Sequence, residues 1–124
     1  MKSRIIGPAG RFASSAAAAV ILTTSAAWAH HGWSSYDADK PVTIEAPLTV
    51  VEYRNPHAQV QIDRDGHPWV VVLAPTGRME SRGMARDALV VGKTVTIEGY
   101  PRKDGTAEIR AERITVDGKS VELR

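Results

Sequence analysis

The chain has 124 residues, no cysteine and a formal charge of +2. That length holds one domain, and the lack of cysteine removes disulfides, thiolate chemistry and Cys-based zinc sites. Lys2, Arg4 and Arg11 fall in the opening segment and no acidic residue precedes Asp37, so the rest of the chain is nearly neutral, about −1, and gives no warrant for nucleic acid or an anionic membrane as partner.

Residues 1–29 read as a secretory signal peptide. Met1 to Arg11 form a basic start, Phe12 to Ala27 are apolar or small with Ala16 to Leu22 at the centre, and Ala27-Trp28-Ala29 is an A-x-A cleavage pattern. Cleavage is expected between Ala29 and His30, with a cut after Ala27 as the alternative. A membrane anchor is the competing reading, but Ser14, Ser15, Thr23, Thr24 and Ser25 dilute the stretch, which falls short of the ~20 strongly apolar residues of a span. The expected product is periplasmic or secreted and keeps no stable membrane anchor.

After an extended leader, residues 30–41, the barrel domain is expected over 42–124. Val42, Ile44, Leu48 and Val50 alternate with Thr43, Glu45 and Thr49, and then Val51 and Tyr53 take the opposite parity. Such a switch within one strand predicts a β-bulge, and Pro47 restricts the strand to an edge or a bend. Beyond Asn55-Pro56, Ala58, Val60 and Ile62 alternate with His57, Gln59, Gln61 and Asp63, which predicts a second strand. Asp65-Gly66 suits a type I′ turn, and the apolar run Trp69 to Ala74 predicts a third strand covered on both faces.

From Thr76 to Leu89 the pattern turns helical: Thr76 is a candidate cap, Met79, Met84 and Leu89 face inward, and Arg78, Arg82 and Arg86 recur every four residues. Gly83 limits this insert to one or two short helical pieces. Thr94 to Tyr100 and Glu108 to Val116 predict two more strands, and Asp117-Gly118 leads into a last short one at Ser120 to Leu123. The fold class is all-β with a short helical insert, and the element order matches a five- to six-stranded OB-like barrel. A six-stranded open barrel or sandwich satisfies the same order.

Several short pieces of the chain carry a likeness: Ala29-His30-His31-Gly32-Trp33, Tyr36-Asp37, Asp39-Lys40-Pro41-Val42, Val51-Glu52-Tyr53, Asn55-Pro56-His57-Ala58, Arg82-Gly83, Val95-Thr96-Ile97-Glu98-Gly99-Tyr100 and Lys103-Asp104-Gly105. In these the sequence resembles a family of small bacterial exported proteins of unknown function, whose mature chains open with a His-His pair and carry an Asn-Pro-His motif. The resemblance implies export and a small β-barrel-like fold and supplies no activity. The chain departs from it at Met84-Ala85, where a tryptophan is expected after Gly83, and at Ala58-Gln59-Val60, where a bulkier aromatic is expected after the motif.

Processing after Ala29 makes His30 the N-terminal residue, with a free amine and an imidazole on one residue and the His31 imidazole beside them. Reference pKa values of roughly 7.7–8.0 and 6.5 let a metal displace both protons near neutral pH. Nitrogen donors in a tetragonal set favour copper, with zinc second. A cut after Ala27 instead places His30 third, also a copper-binding arrangement. His57, behind Pro56, is the candidate third ligand in the manner of a histidine brace, so His30, His31 and His57 form the candidate metal site. The bland alternative leaves the His-His pair in solvent and His57 on a turn beside Asn55, while His67 sits at a turn and is expected on the surface.

Trp69 is expected in the core, and Trp33 and Tyr36 are expected to staple the leader onto the barrel. The Arg78, Arg82, Arg86 stripe, with Glu80 and Asp87 interleaved, reads as a solvated face, with anion binding as the other reading. No nucleophile, base and orienting acid stand in a recognisable pattern, and there is no phosphate loop or dinucleotide fingerprint. The expectation is an exported, non-enzymatic binding module taking copper or zinc. The alternatives are a metal-independent module for a protein partner or other ligand, and a copper oxidase or oxygenase.

Overall fold

The computed structural model describes Gly10 and residues 32–124. The signal segment, its cleavage point, and His30 and His31 lie outside the described residues.

Six strands follow in order: β1 Val42–Glu52, β2 Gln59–Arg64, β3 His67–Val72, β4 Thr94–Pro101, β5 Glu108–Val116 and β6 Lys119–Glu122. A short helix, α1, spans Thr76–Ser81, and 3₁₀ turns occupy Trp33–Ser35 and Arg86–Ala88. The first strand pairs antiparallel with β2 and β4, β2 with β3, and β4 with β5. A parallel pairing of β3 with β5, Val70 to Glu108 through Val72 to Arg110, closes the ring. Five strands thus form a closed mixed barrel in the OB order, with the helical insert between β3 and β4. The sixth strand extends the far half of β5, pairing Arg113 to Val116 with Lys119 to Glu122.

Residue parity decides the wall. Ala46 and Leu48 of β1, Val60 and Ile62 of β2, Val71 of β3, Val95 and Ile97 of β4, and Ile109 and Ala111 of β5 all point inward and are buried, as period-two side chains on a one-sided sheet must. The coiled first strand bonds β4 as far as Pro47 and β2 from Leu48 onward, so Pro47, which has no N–H to give, stands where the partner changes. The expected bulge is present, but its register shift lies between Leu48 and Val50. Val50 is therefore turned outward and exposed, one step earlier than simple alternation places the switch.

A second irregularity between Glu98 and Gly99 bends β4 against β5. There a Cβ on Gly99 would collide with the Arg110 carbonyl and meet Ala111 Cα at 2.8 Å, so only glycine lets the two strands close up. At the β2–β3 hairpin Asp65 and Gly66 have φ of 53° and 78°, the pair of positive values a type I′ turn requires. The third strand is less enclosed than its composition suggests: Val71 is fully buried, whereas Val70 and Val72 on the outer face and Trp69 at the barrel end are half-buried. Arg64 lies over the Trp69 ring, 4.9 Å from its centroid.

Candidate functional site

The link between β1 and β2 carries His57. Tyr53, at its start, is buried and donates its hydroxyl proton to the Met84 carbonyl at 2.8 Å. The Arg86 Nη2 donates to the Tyr53 carbonyl at 2.8 Å and its guanidinium lies 5.7 Å from the Tyr53 ring centroid. Burial raises the Tyr53 pKa, helped by the charges of Glu80 and Asp87 and opposed by Arg86. Asn55 precedes a cis peptide to Pro56, and its Oδ1 accepts the Thr76 hydroxyl at 2.9 Å. Thr76 thus ties the insert to this loop; no side chain caps α1, whose N-cap residue is Pro75.

His57 comes two residues before β2 begins, not on the strand as expected. The barrel ladder still reaches its neighbour, because Ala58 N–H donates to Ala74 and Ala58 C=O accepts from Leu73 at 2.8 and 2.9 Å. With Ala58 fully buried, His57 is half-buried on the outward side. There it lines a groove of about 200 Å³ together with Glu52, Arg54, Asn55, Pro56, Gln59 and Val72. Glu52 Oε2 accepts from Gln59 Nε2 at 2.8 Å and from Arg54 Nη2 at 3.3 Å, so its charge is shared by neutral and cationic donors. Among the described residues no three His, Asp or Glu side chains are grouped to hold a metal ion. His67, the first residue of β3, is exposed as expected.

The leader forms a second surface feature. Trp33–Ser35 make a 3₁₀ turn and Tyr36 bridges Arg102 beyond β4. Asp37 N–H donates to Pro101 C=O at 2.8 Å and Lys103 N–H to Ser35 C=O at 3.0 Å. Tyr36 is buried and its hydroxyl donates to Glu108, and burial followed by that bond pushes its pKa up to about 12. Trp33 keeps 42% of its surface exposed. Its ring meets Tyr100 edge-on at 6.0 Å and lies 4.5 Å from the Arg110 guanidinium and 4.8 Å from that of Arg124. The stapling role expected of these two aromatics is therefore met, while the leader is turned and strapped rather than extended throughout.

The Arg78, Arg82, Arg86 stripe is exposed, as expected of a solvated face, and its guanidiniums also reach neighbouring main-chain oxygens. Arg78 Nη1 donates to Leu123 C=O at 3.1 Å, and Arg82 Nη1 to Glu122 and Arg124 carbonyls at 2.7 and 3.0 Å. With Arg86 on Tyr53, all three guanidiniums fasten the insert to neighbouring backbone. The arginines that do meet at the surface, Arg110 and Arg124, were not singled out by sequence pattern. Alternation with Ile109 and Ala111 turns Arg110 outward, but its meeting with Arg124 depends on tertiary closure.

Fold and surface together define a small OB-type barrel with a polar groove on the β1–β2 link and a leader strapped across β4 and β5. The chain belongs to the family described as "Family of unknown function (DUF6152)", whose model matches residues 17–110. No curated protein matches the chain. Among the described residues no helix is long and apolar enough to cross a membrane.

Proposed function

We propose that this protein is an exported binding module that takes copper, or more weakly zinc, through a mature N-terminus beginning at His30. The amine and imidazole of His30, the His31 imidazole and the His57 imidazole supply the nitrogens. The observation that supports this reading is the position of Trp33. Its ring rests on Arg110, Arg110 is the register partner of Val72, and Val72 lines the His57 groove. Strap and groove therefore share one side of the barrel. Two strand spacings of about 4.8 Å separate Arg110 from Gln59, and the three residues from His30 to Trp33 extend about 10 Å. The chain is long enough to bring its new amine toward His57, and the hydrogen bonds of Tyr53, Asn55 and Ala58 hold His57 still to receive it.

Isothermal titration with Cu(II) tests the reading on three samples: chain starting at His30, the same chain extended by one N-terminal residue, and a His57→Ala variant. The expected result is tight binding to the first and a loss of tenfold or more in each of the others, about 1.4 kcal/mol or greater. Equal affinity for the first two removes the chelating terminus. Undiminished affinity of His57→Ala removes the third ligand.

A metal-independent reading rests on the groove alone, where Glu52, Arg54, Asn55 and Gln59 present both signs of charge and both amide functions to a polar ligand. The face and loops used by other OB barrels lie in the corresponding place, a fold-level analogy only. Capture of a ligand that persists in chelator favours this reading over the metal.

A further inference from the structure

We infer that Arg124, with Arg110 and Arg78 beside it, forms a binding site for a small oxyanion, a carboxylate or a phosphate, and that Trp33 is its removable cover.

The donor geometry comes first. Arg124 turns Nη1 back to the Leu123 carbonyl at 3.3 Å, while its Nε and Nη2 are buried and without a hydrogen-bond partner among the described residues. Those two nitrogens form one edge of the guanidinium, with parallel N–H bonds spaced to meet the two oxygens of a carboxylate or phosphate. A buried donor pair left unmade costs more than most single contacts contribute, so an edge of this kind is matched to a particular chemistry.

Charge points the same way. The guanidiniums of Arg110 and Arg78 repel Arg124, and burial together with that repulsion lowers its pKa to about 10, against a partial offset from Tyr36 and Glu112. Two nearby carboxylates are already engaged: Glu112 accepts the Tyr100 hydroxyl at 2.8 Å, and Glu108 accepts the Tyr36 hydroxyl and lies 3.7 Å from Arg102. The segment before Gly32 contains no Asp or Glu, so it cannot bring a carboxylate side chain to Arg124. An anion from solution relieves the repulsion and meets the donor edge.

Trp33 closes the site. Its ring lies within 5 Å of both Arg110 and Arg124 guanidinium carbons and remains 42% exposed, so a partly exposed ring stands against the guanidinium that carries the buried donors. A ring and a guanidinium at an exposed position attract more weakly than a charge-assisted bidentate pair. An arriving oxyanion outcompetes the ring.

The test uses the chain with its native N-terminus, labelled with nitrogen-15, in chelator so that its outcome is independent of metal binding. Inorganic phosphate and, separately, acetate are added at constant ionic strength maintained with chloride, and the Arg124 Nε–H and Trp33 indole N–H resonances are followed. Both resonances are expected to shift saturably, Arg124→Lys to bind at least tenfold more weakly for want of the edge, and Trp33→Ala to bind several-fold more tightly because the closed state no longer competes. Saturation by phosphate alone or acetate alone identifies the oxyanion. The site is overturned if neither anion moves the Arg124 resonance at about 10 mM, a millimolar Kd being the weakest worth the name, or if Arg124→Lys binds equally. The cover is overturned if Trp33→Ala binds no more tightly than the parent.

Discussion

The Arg54 to Gln59 corner and the Trp33 to Tyr36 strap sit on one side of the same barrel and are held in different ways. At the corner, Tyr53 hydroxyl, Arg86 guanidinium and Thr76 hydroxyl each meet an oxygen at 2.8–2.9 Å. Along the strap, Tyr36 is anchored in the same directional manner, but Trp33 rests on guanidinium planes and the edge of Tyr100. Directional bonds fix an atom's coordinates, whereas a ring on a cation is held by an attraction that many arrangements satisfy. By this contrast the link around His57 is fixed by directional bonds to its neighbours, whereas Trp33 is held by contacts of the less directional kind.

Both regions stand on the same wall, and Ile109→Ala is the harshest test of that common support. Ile109 is fully buried between Glu108, which receives Tyr36, and Arg110, which receives Trp33. Its truncation is expected to cost about 3–4 kcal/mol of global stability by urea unfolding, the usual result of an isoleucine-sized cavity in a packed core. A loss under about 1 kcal/mol would show that the strap side does not share the core of the corner.

High pH separates them next. Tyr36 has its folded pKa raised from 10.0 to about 12, so the folded state holds the phenolic proton more tightly than the unfolded state. Its stabilisation is complete below pH 10 and disappears as pH rises toward 12, amounting to roughly 2–3 kcal/mol at full effect. Arg124 works in the opposite sense, since its lowered folded pKa makes the unfolded chain the better proton binder in that window. The measurement is therefore the stability difference between the parent and Tyr36→Phe, which should shrink as pH climbs from 10 to 12. A difference that stays constant breaks the claim that Tyr36 anchors the strap through its neutral hydroxyl.

At the corner, Tyr53→Phe leaves the Met84 carbonyl without its donor in a buried setting. The expected cost is about 1–2 kcal/mol, with the resonances of His57 and Gln59 shifting together as the link loosens. If stability falls while those resonances stay in place, the brace serves the insert and not the groove.

Residue parity specifies most of the wall: inward Val60, Ile62, Val95 and Ile97, the Asp65-Gly66 turn and the three inward residues of the insert follow from local chemistry. What parity misplaced was non-local. Val50 faces outward because β1 changes partner beside Pro47, and the exposed Arg78, Arg82, Arg86 stripe has acceptors that spacing does not show, the main-chain oxygens of Leu123, Glu122 and Tyr53. The candidate ligand His57 was legible as an outward residue behind Pro56, but its groove partners Glu52 and Val72 come from two other strands. Arg124 beneath Trp33 joins chain positions far apart in sequence, a contact no spacing rule addresses.

The gentlest change is the most discriminating. Trp33→Ala removes a ring that is 42% exposed and two cation–ring contacts, so global stability should fall by less than about 1 kcal/mol. Locally, the Asp37 and Lys103 amides, which bond Pro101 and Ser35 across the strap, should exchange with solvent faster, while the Ala58 amide, bonded to Ala74 at the corner, should keep its protection. Faster exchange at all three would mean that strap and corner open as one unit. Unchanged exchange at Asp37 and Lys103 would assign the hold on the leader to Tyr36 alone, leaving Trp33 free to move without loosening the residues behind it.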